Sequence, residues 1–156
     1  MSEAEAAAPP GCGICGLIAR IRAGTFADFI AELEHHYVIL GDAQFYRGYC
    51  ALLFKRHATE LHTLAPELAR AAFDEVMQVA GAIASVVHPL RLNYENLGNQ
   101  EPHLHWHIFP RFAGDALRLA PVWARPESER KVTLEDRDRR DLIGSLRAEL
   151  ARSRRS

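Results

Sequence analysis

The chain has 156 residues, 48% hydrophobic and 25% charged, a balance that supports one soluble domain with a packed core. A formal net charge of -1 and a pI near 6.7 exclude a broadly basic nucleic-acid-binding surface as the main function. An acidic start (Met1-Ser2-Glu3-Ala4-Glu5) rules against a secretory signal, and the most apolar stretch, Val79 to Val87, is too short to span a bilayer. The expectation is a cytoplasmic protein with no membrane or nucleic-acid partner.

In chain order, residues 1–10 are Ala/Glu/Pro-rich and read as a loose tail, leaving 11–156 as a single domain. Phe29 to Leu33 and Tyr37 to Leu40 read as short strands around a polar turn, and Tyr49 to Lys55 as a third. Pro66 opens a helix whose apolar stripe is Leu68, Ala72, Val76, Val79, Ile83 and Val87, stopped by His88-Pro89. A strand near Leu90 to Tyr94, a turn through Asn96-Leu97-Gly98-Asn99 and a strand from His103 to Phe109 ending at Pro110 follow. A charged helix from about Thr133 to Leu150 closes the chain on Leu142, Leu146 and Leu150. Strands before and after one central helix predict an α+β fold with an antiparallel sheet.

On a strand, His103, His105 and His107 point to one face, and Leu104, Trp106 and Ile108 point to the other, where the Pro66 helix can cover them. Imidazoles titrate near neutrality, and a neutral ring offers one donor and one acceptor nitrogen. Three on one face supply a nucleophile, a proton carrier and a donor, or else a set of zinc ligands. Residue spacing leaves both open, although the outer pair is awkwardly far apart for one ion.

The stretch Gly98-Asn99-Gln100-Glu101-Pro102-His103-Leu104-His105-Trp106-His107-Ile108-Phe109-Pro110-Arg111 resembles the signature of the histidine triad (HIT) superfamily. The resemblance extends upstream through Asp42 and Lys55-Arg56-His57, over roughly residues 12 to 112, and is closest to bacterial diadenosine-tetraphosphate-hydrolase-like members. It implies an antiparallel meander with a central and a C-terminal helix, a homodimer, and a small-molecule nucleotide substrate. It further implies that His105 is the nucleophile, forming a nucleotidyl-histidine that water hydrolyses. His107 then contacts phosphate oxygens, and His103 orients His105, its backbone carbonyl accepting a hydrogen bond from one ring nitrogen. Asn99, Gln100 and Asn93 match phosphate and leaving-group positions, and Asp42 a ribose position. Two departures stand out: Tyr49 occupies the place of a further histidine in two well-known branches, and Gln100 that of a small hydroxyl residue.

Cys12-x-x-Cys15 alone is half a metal site. Some bacterial relatives complete such a pair with residues that match His57 and His103, which implies a structural zinc on Cys12, Cys15, His57 and His103. His35, His36, His62 and His88 read as surface residues, Cys50 as a small buried hydrophobe, and Trp123 as packing on the core or a dimer partner. The leading function is therefore hydrolysis or transfer at a nucleoside phosphoanhydride or phosphoramidate. The alternatives are a nucleotide-binding module with little turnover, and a metallohydrolase using the triad as ligands.

Overall fold

The computed structural model describes residues 9–153, so the expected tail lies outside them but for Pro9 and Pro10. Strands β1 (Phe29–Glu32), β2 (His36–Leu40), β3 (Cys50–Phe54), β4 (Arg91–Glu95) and β5 (His105–Arg111) form one antiparallel sheet. Its order is β1-β2-β3-β5-β4. The chain meanders through β1 to β3, crosses in a helix to the far edge, and returns with β5 in the centre. No helix of the described chain is long and apolar enough to cross a membrane.

The sheet carries helices on both faces. Ahead of the strands stands α1 (Gly13–Arg22), which sequence reading did not anticipate because Gly13 and Gly16 weaken its helical signal. Cys12 caps it, its Sγ accepting from the Cys15 N–H at 3.4 Å, and Ile14, Ile18 and Ile21 form a buried stripe. That stripe covers Tyr37, Ile39, Ala51 and Leu53 on one face of the sheet. The other face presents Val38, Leu40, Cys50, Leu52 and Ile108 to Val76, Val79 and Ile83 of α2 (Pro66–Val87). With both faces covered, every residue of β2 and β3 is buried.

Helix α2 begins and ends as the sequence predicts. Pro66 occupies its first turn, and His88 closes it in the left-handed region at φ 48° before Pro89. The C-terminal helix, α4 (Asp136–Ser153), starts three residues later than Thr133 and packs Leu142, Ile143, Leu146 and Leu150 onto the α2 side. Between β5 and α4, residues 112–135 run irregularly, with a four-residue helix, α3 (Glu127–Arg130), near their end. They are tied down by a buried ion network. Arg111 Nη2 donates to Asp115 Oδ2 at 2.8 Å, and Arg125 Nη2 to Asp115 Oδ1 at 2.8 Å. Arg111 also donates to the carbonyls of Ala120 and Leu117.

Among the histidines read as surface residues, His62 and His88 are exposed and His35 is half-buried. His36 is the correction. It is 1% exposed within β2, its Nδ1 donating to Glu75 Oε2 at 2.7 Å. Its place in a strand covered on both faces buries it, and a carboxylate from α2 supplies the partner.

Candidate functional site

Strand β5 begins at His105, two residues later than expected. The His103 N–H bonds back to the Glu101 carbonyl at 2.7 Å, a tight turn just ahead of the strand. The His105 and His107 rings meet each other, whereas the His103 ring is engaged separately by Cys12, Cys15 and His57. His105 and His107 lie opposite Leu53 and Ala51 of β3, on the α1 side of the sheet. Leu104, Trp106 and Ile108 face the α2 side as expected, against Ala72, Phe73 and the main core respectively.

The His103 ring, 1% exposed, turns instead toward the N-terminus. Its Nε2 donates to the Phe54 carbonyl at 2.7 Å, so Nδ1 carries the lone pair. That Nδ1 stands 3.4 Å from Cys12 Sγ, 3.4 Å from Cys15 Sγ and 3.3 Å from His57 Nδ1, while His57 Nδ1 is 3.5 Å from Cys15 Sγ. A tetrahedral zinc with Zn–S of about 2.3 Å and Zn–N of about 2.1 Å has S···N edges near 3.6 Å and N···N edges near 3.4 Å. The four atoms, all within 4.8 Å of one another, thus match a tetrahedron around one ion, and both cysteines are free thiols. The hydrogen bond from Nε2 to a backbone carbonyl is the outer support that metal-ligating histidines ordinarily have. These four residues can hold a metal ion.

The His103 backbone serves the other side. Its carbonyl lies 2.6 Å from His105 Nδ1, and a carbonyl only accepts, so Nδ1 carries a proton and, in the neutral ring, Nε2 has the lone pair. The Asn96 amide donates to the His105 carbonyl at 2.7 Å, a contact that sequence reading did not anticipate. His105, 9% exposed, and His107 open into a cleft of about 400 Å³ whose walls include Asn99, Gln100 and Trp123.

Tyr49 stands under His107. Its hydroxyl is 2.7 Å from His107 Nδ1, and its ring stacks on Phe109 with centroids 4.0 Å apart. Burial, then the nearby Asp42 charge, pushes the Tyr49 phenol far above its ordinary range, so it keeps its proton. Burial, and then the cost of placing a second positive charge beside the His105 ring, bring His107 down to about 4, leaving its ring neutral at physiological pH. The protonated phenol can donate to the His107 Nδ1 lone pair, an arrangement in which the His107 proton sits on Nε2 and faces outward as a donor. Gly41 makes room: a Cβ there would overlap the Tyr49 ring.

The structure brings Asn99 and Gln100 to the cleft, but not Asn93. Asn93 sits opposite Phe109 with its amide oxygen accepting from Arg111 Nη1 at 2.8 Å, so it braces the 112–135 segment. Asp42 lines an adjoining cavity of about 280 Å³ together with Tyr49, His107, Trp123 and Arg130, and pairs with Lys131 at 3.2 Å. Trp123, expected in the core or at a dimer contact, is 44% exposed and walls both cavities. Its ring meets His107 edge-on at 5.8 Å, and its Nε1 donates to Glu95. No motif marks it, because only the folding back of the 112–135 segment brings it there.

The comparisons agree with this geometry. "Protein hit" of Bacillus subtilis is 31% identical over 100 residues, covering 60% of this chain and 68% of that protein. A zinc-bound histidine triad family protein from Mycobacterium smegmatis superposes with a TM-score of 0.64 at 26% identity, over 88% of this chain and 94% of its own. A histidine triad protein from Bradyrhizobium japonicum shares the fold with a TM-score of 0.70 at 24% identity, over 85% and 95% of the two chains. The HIT domain model matches residues 25–114, which hold the whole sheet, helix α2 and the His103–His107 motif. By domain and by fold, this chain belongs to the histidine triad (HIT) family.

Proposed function

We propose that the protein is a HIT-type nucleotide hydrolase or transferase that cleaves a nucleoside phosphoanhydride or phosphoramidate, of the dinucleoside polyphosphate class, through a nucleotidyl-histidine on His105. The observation that carries this reading is the 2.6 Å contact from His105 Nδ1 to the His103 carbonyl. It leaves Nε2 unprotonated at the cleft, the state a nitrogen nucleophile needs to attack phosphorus. In the first step Nε2 bonds to the α-phosphorus as the P–O or P–N bond to the leaving group breaks. In the second, water attacks the same phosphorus and releases the nucleotide and His105. His107 donates from Nε2 to a phosphate oxygen, Asn99 and Gln100 contact the phosphates from the cleft wall, and Asp42 reaches the ribose. His103 acts through its carbonyl alone.

We assign zinc to Cys12, Cys15, His57 and His103, where it joins the start of α1 to the loop before β5 and supports the fold. The metallohydrolase alternative loses its third ligand, since His103 faces the cysteines and not His105. We further read the protein as a cytoplasmic homodimer, with Tyr94 of the edge strand β4 and the nearby Leu90 and Leu97 exposed for a second copy. Sedimentation at micromolar concentration then gives twice the 17.5 kDa chain mass, and a lone monomer rejects this part.

The test is to incubate the full chain with diadenosine tetraphosphate and with adenosine phosphoramidate, and to quench in alkali, where a phosphoramidate bond to histidine survives. A nucleotidyl adduct on His105 is expected. His105→Ala or His105→Asn removes turnover by several orders of magnitude while nucleotide binding persists. A folded His105→Ala protein that still turns over near the wild-type rate sinks the reading. Wild-type binding without turnover moves it to the nucleotide-binding module, which Tyr49 in place of a family histidine would favour.

A further inference from the structure

Residues 115–153 lie beyond the part of the chain that matches the family model, yet four of them, Trp123, Glu127, Arg130 and Lys131, line the cavity that adjoins the candidate site. Trp123 separates the His107 ring from Arg130, whose Cζ sits 4.6 Å from the Trp123 ring centroid. The other cations of this region are committed. Arg111 and Arg125 are bound to Asp115, and Lys131 to Asp42 and Glu127. The nearby carboxylates are engaged as well: Glu127 and Asp42 hold Lys131, and Glu95 accepts from Trp123. Arg130 shares with Arg125 a buried Nε that has no hydrogen-bond partner, but among the described residues its guanidinium, unlike that of Arg125, has no ion pair. A buried N–H left unpaired is costly and rare, and a guanidinium beside a phosphate-handling cleft has an obvious acceptor. The Arg130 backbone is fixed independently of any ligand, its carbonyl accepting from the Phe45 N–H at 3.1 Å.

We propose that Trp123 and Arg130 form an anion-accepting subsite beside the candidate triad, so that the preferred substrate carries a phosphate chain and not a single phosphorus. The inference rests on the function proposed above and narrows its substrate class. With the reacting phosphorus between His105 and His107, the chain runs past the edge of Trp123. Its further phosphate oxygens then accept from the Arg130 guanidinium. Trp123 holds the guanidinium in place by cation–π contact and is itself held by Glu95. Asp42 and Glu127 face the same cavity, and Lys131 offsets both. Arg130 therefore supplies the uncommitted positive charge, and a bidentate fork suits it to phosphate better than an ammonium would.

The experiment compares wild type, Arg130→Ala and Arg130→Lys on diadenosine tetraphosphate and on adenosine phosphoramidate, with Arg118→Ala as an exposed charge control outside both cavities. Arg130→Ala should lower kcat/KM for the tetraphosphate about tenfold or more, the size of a lost charge-assisted hydrogen bond. It should change the phosphoramidate by less than about twofold. Arg130→Lys should recover only part of the loss, and Arg118→Ala should match wild type on both substrates. Equal losses on the two substrates, or none on the tetraphosphate, overturn the subsite. If wild type cleaves neither compound, the proposed function has failed and the subsite is read separately by calorimetry with inorganic tripolyphosphate. Weaker binding to Arg130→Ala supports the subsite, and unchanged binding rejects it. Should Arg130→Ala not fold, Arg130→Gln carries the same comparisons.

Discussion

Removing one oxygen atom, by Tyr49→Phe, tests how the site sets the charge of His107. The ring keeps its stack on Phe109 and its place over Gly41, so the change is confined to the 2.7 Å contact with His107 Nδ1. If the phenol donates, it stabilises the neutral imidazole, and its loss lets His107 protonate more easily. A hydrogen bond worth about 0.5–1.5 kcal/mol corresponds to roughly 0.4–1.1 pKa units at about 1.36 kcal/mol per unit. His107, held at about 4 by burial and by His105, should therefore titrate about half a unit to one unit higher. The assay is NMR of ring-labelled histidine across an acid titration, which needs no substrate. The sign decides the matter. A downward shift means that the phenol accepts from a protonated Nδ1, and the donor at the cleft would then not be His107 Nε2. Stability must follow the same sense. A histidine kept neutral by the fold contributes stability that is full above its ordinary value near 6.5 and is lost as pH falls from there through about 4. The loss from this ring reaches about 3 kcal/mol at the acid end and should be smaller in Tyr49→Phe, whose acid-unfolding curve is flatter over that range.

Two further changes probe the supports of the site. Replacing Cys12 and Cys15 together by Ser should abolish stoichiometric zinc by elemental analysis and lower Tm by about 10 °C or more; since Ser caps a helix as well as Cys does, the loss reports the metal and not the cap of α1. Glu75→Ala strands the buried His36 and the His35 N–H, and should cost about 3 kcal/mol in urea unfolding, a value near zero refuting the buried pair. Burial alone would raise Glu75, yet the bonds from His36 and His35 hold it below the ordinary carboxylate value. Its stabilisation is therefore present above that value and is lost as pH falls through the lowered one.

What the sequence makes legible is whatever repeats along one element. The three-to-four stripe of α2, its Pro66 start and His88-Pro89 stop, and the alternation of β5 all follow from local chemistry, and the fold has them. The elements and residues that escaped depend on distant partners. Helix α1 has two glycines and is secured by its stripe on β2 and β3 and by the cysteines near His103. His36 appears polar and terminal until a carboxylate 39 residues away is placed beside it. Trp123 and Arg130 reach the cleft only because Arg111 and Asp115 clamp the intervening loop, and no pattern within residues 112–135 announces that closure. Asn93 is the converse case. It falls at a matching place in the motif order, but the same Arg111 claims its side chain.

His103 shows why spacing alone left the choice between nucleophile and metal ligand open. Period two says which way a ring leaves the backbone but not which partners the fold brings to it, and the start of α1 brings Cys12 and Cys15 to His103. One residue then meets both demands with different groups. Its Nε2 is spent on the Phe54 carbonyl, which leaves Nδ1 for the cysteine cluster, and its own carbonyl is spent on His105 Nδ1, which leaves Nε2 for the cleft. Each hydrogen bond fixes the tautomer of the next ring, so the state of His105 follows from where the Phe54–His103 pair holds the backbone. A ring so engaged cannot reach a phosphate, and a ligand set completed by cysteines does not need His105 or His107. The two readings that compete along the sequence are therefore separated in space by a single peptide unit, with the candidate metal ligands on one side of it and the candidate nucleophile on the other.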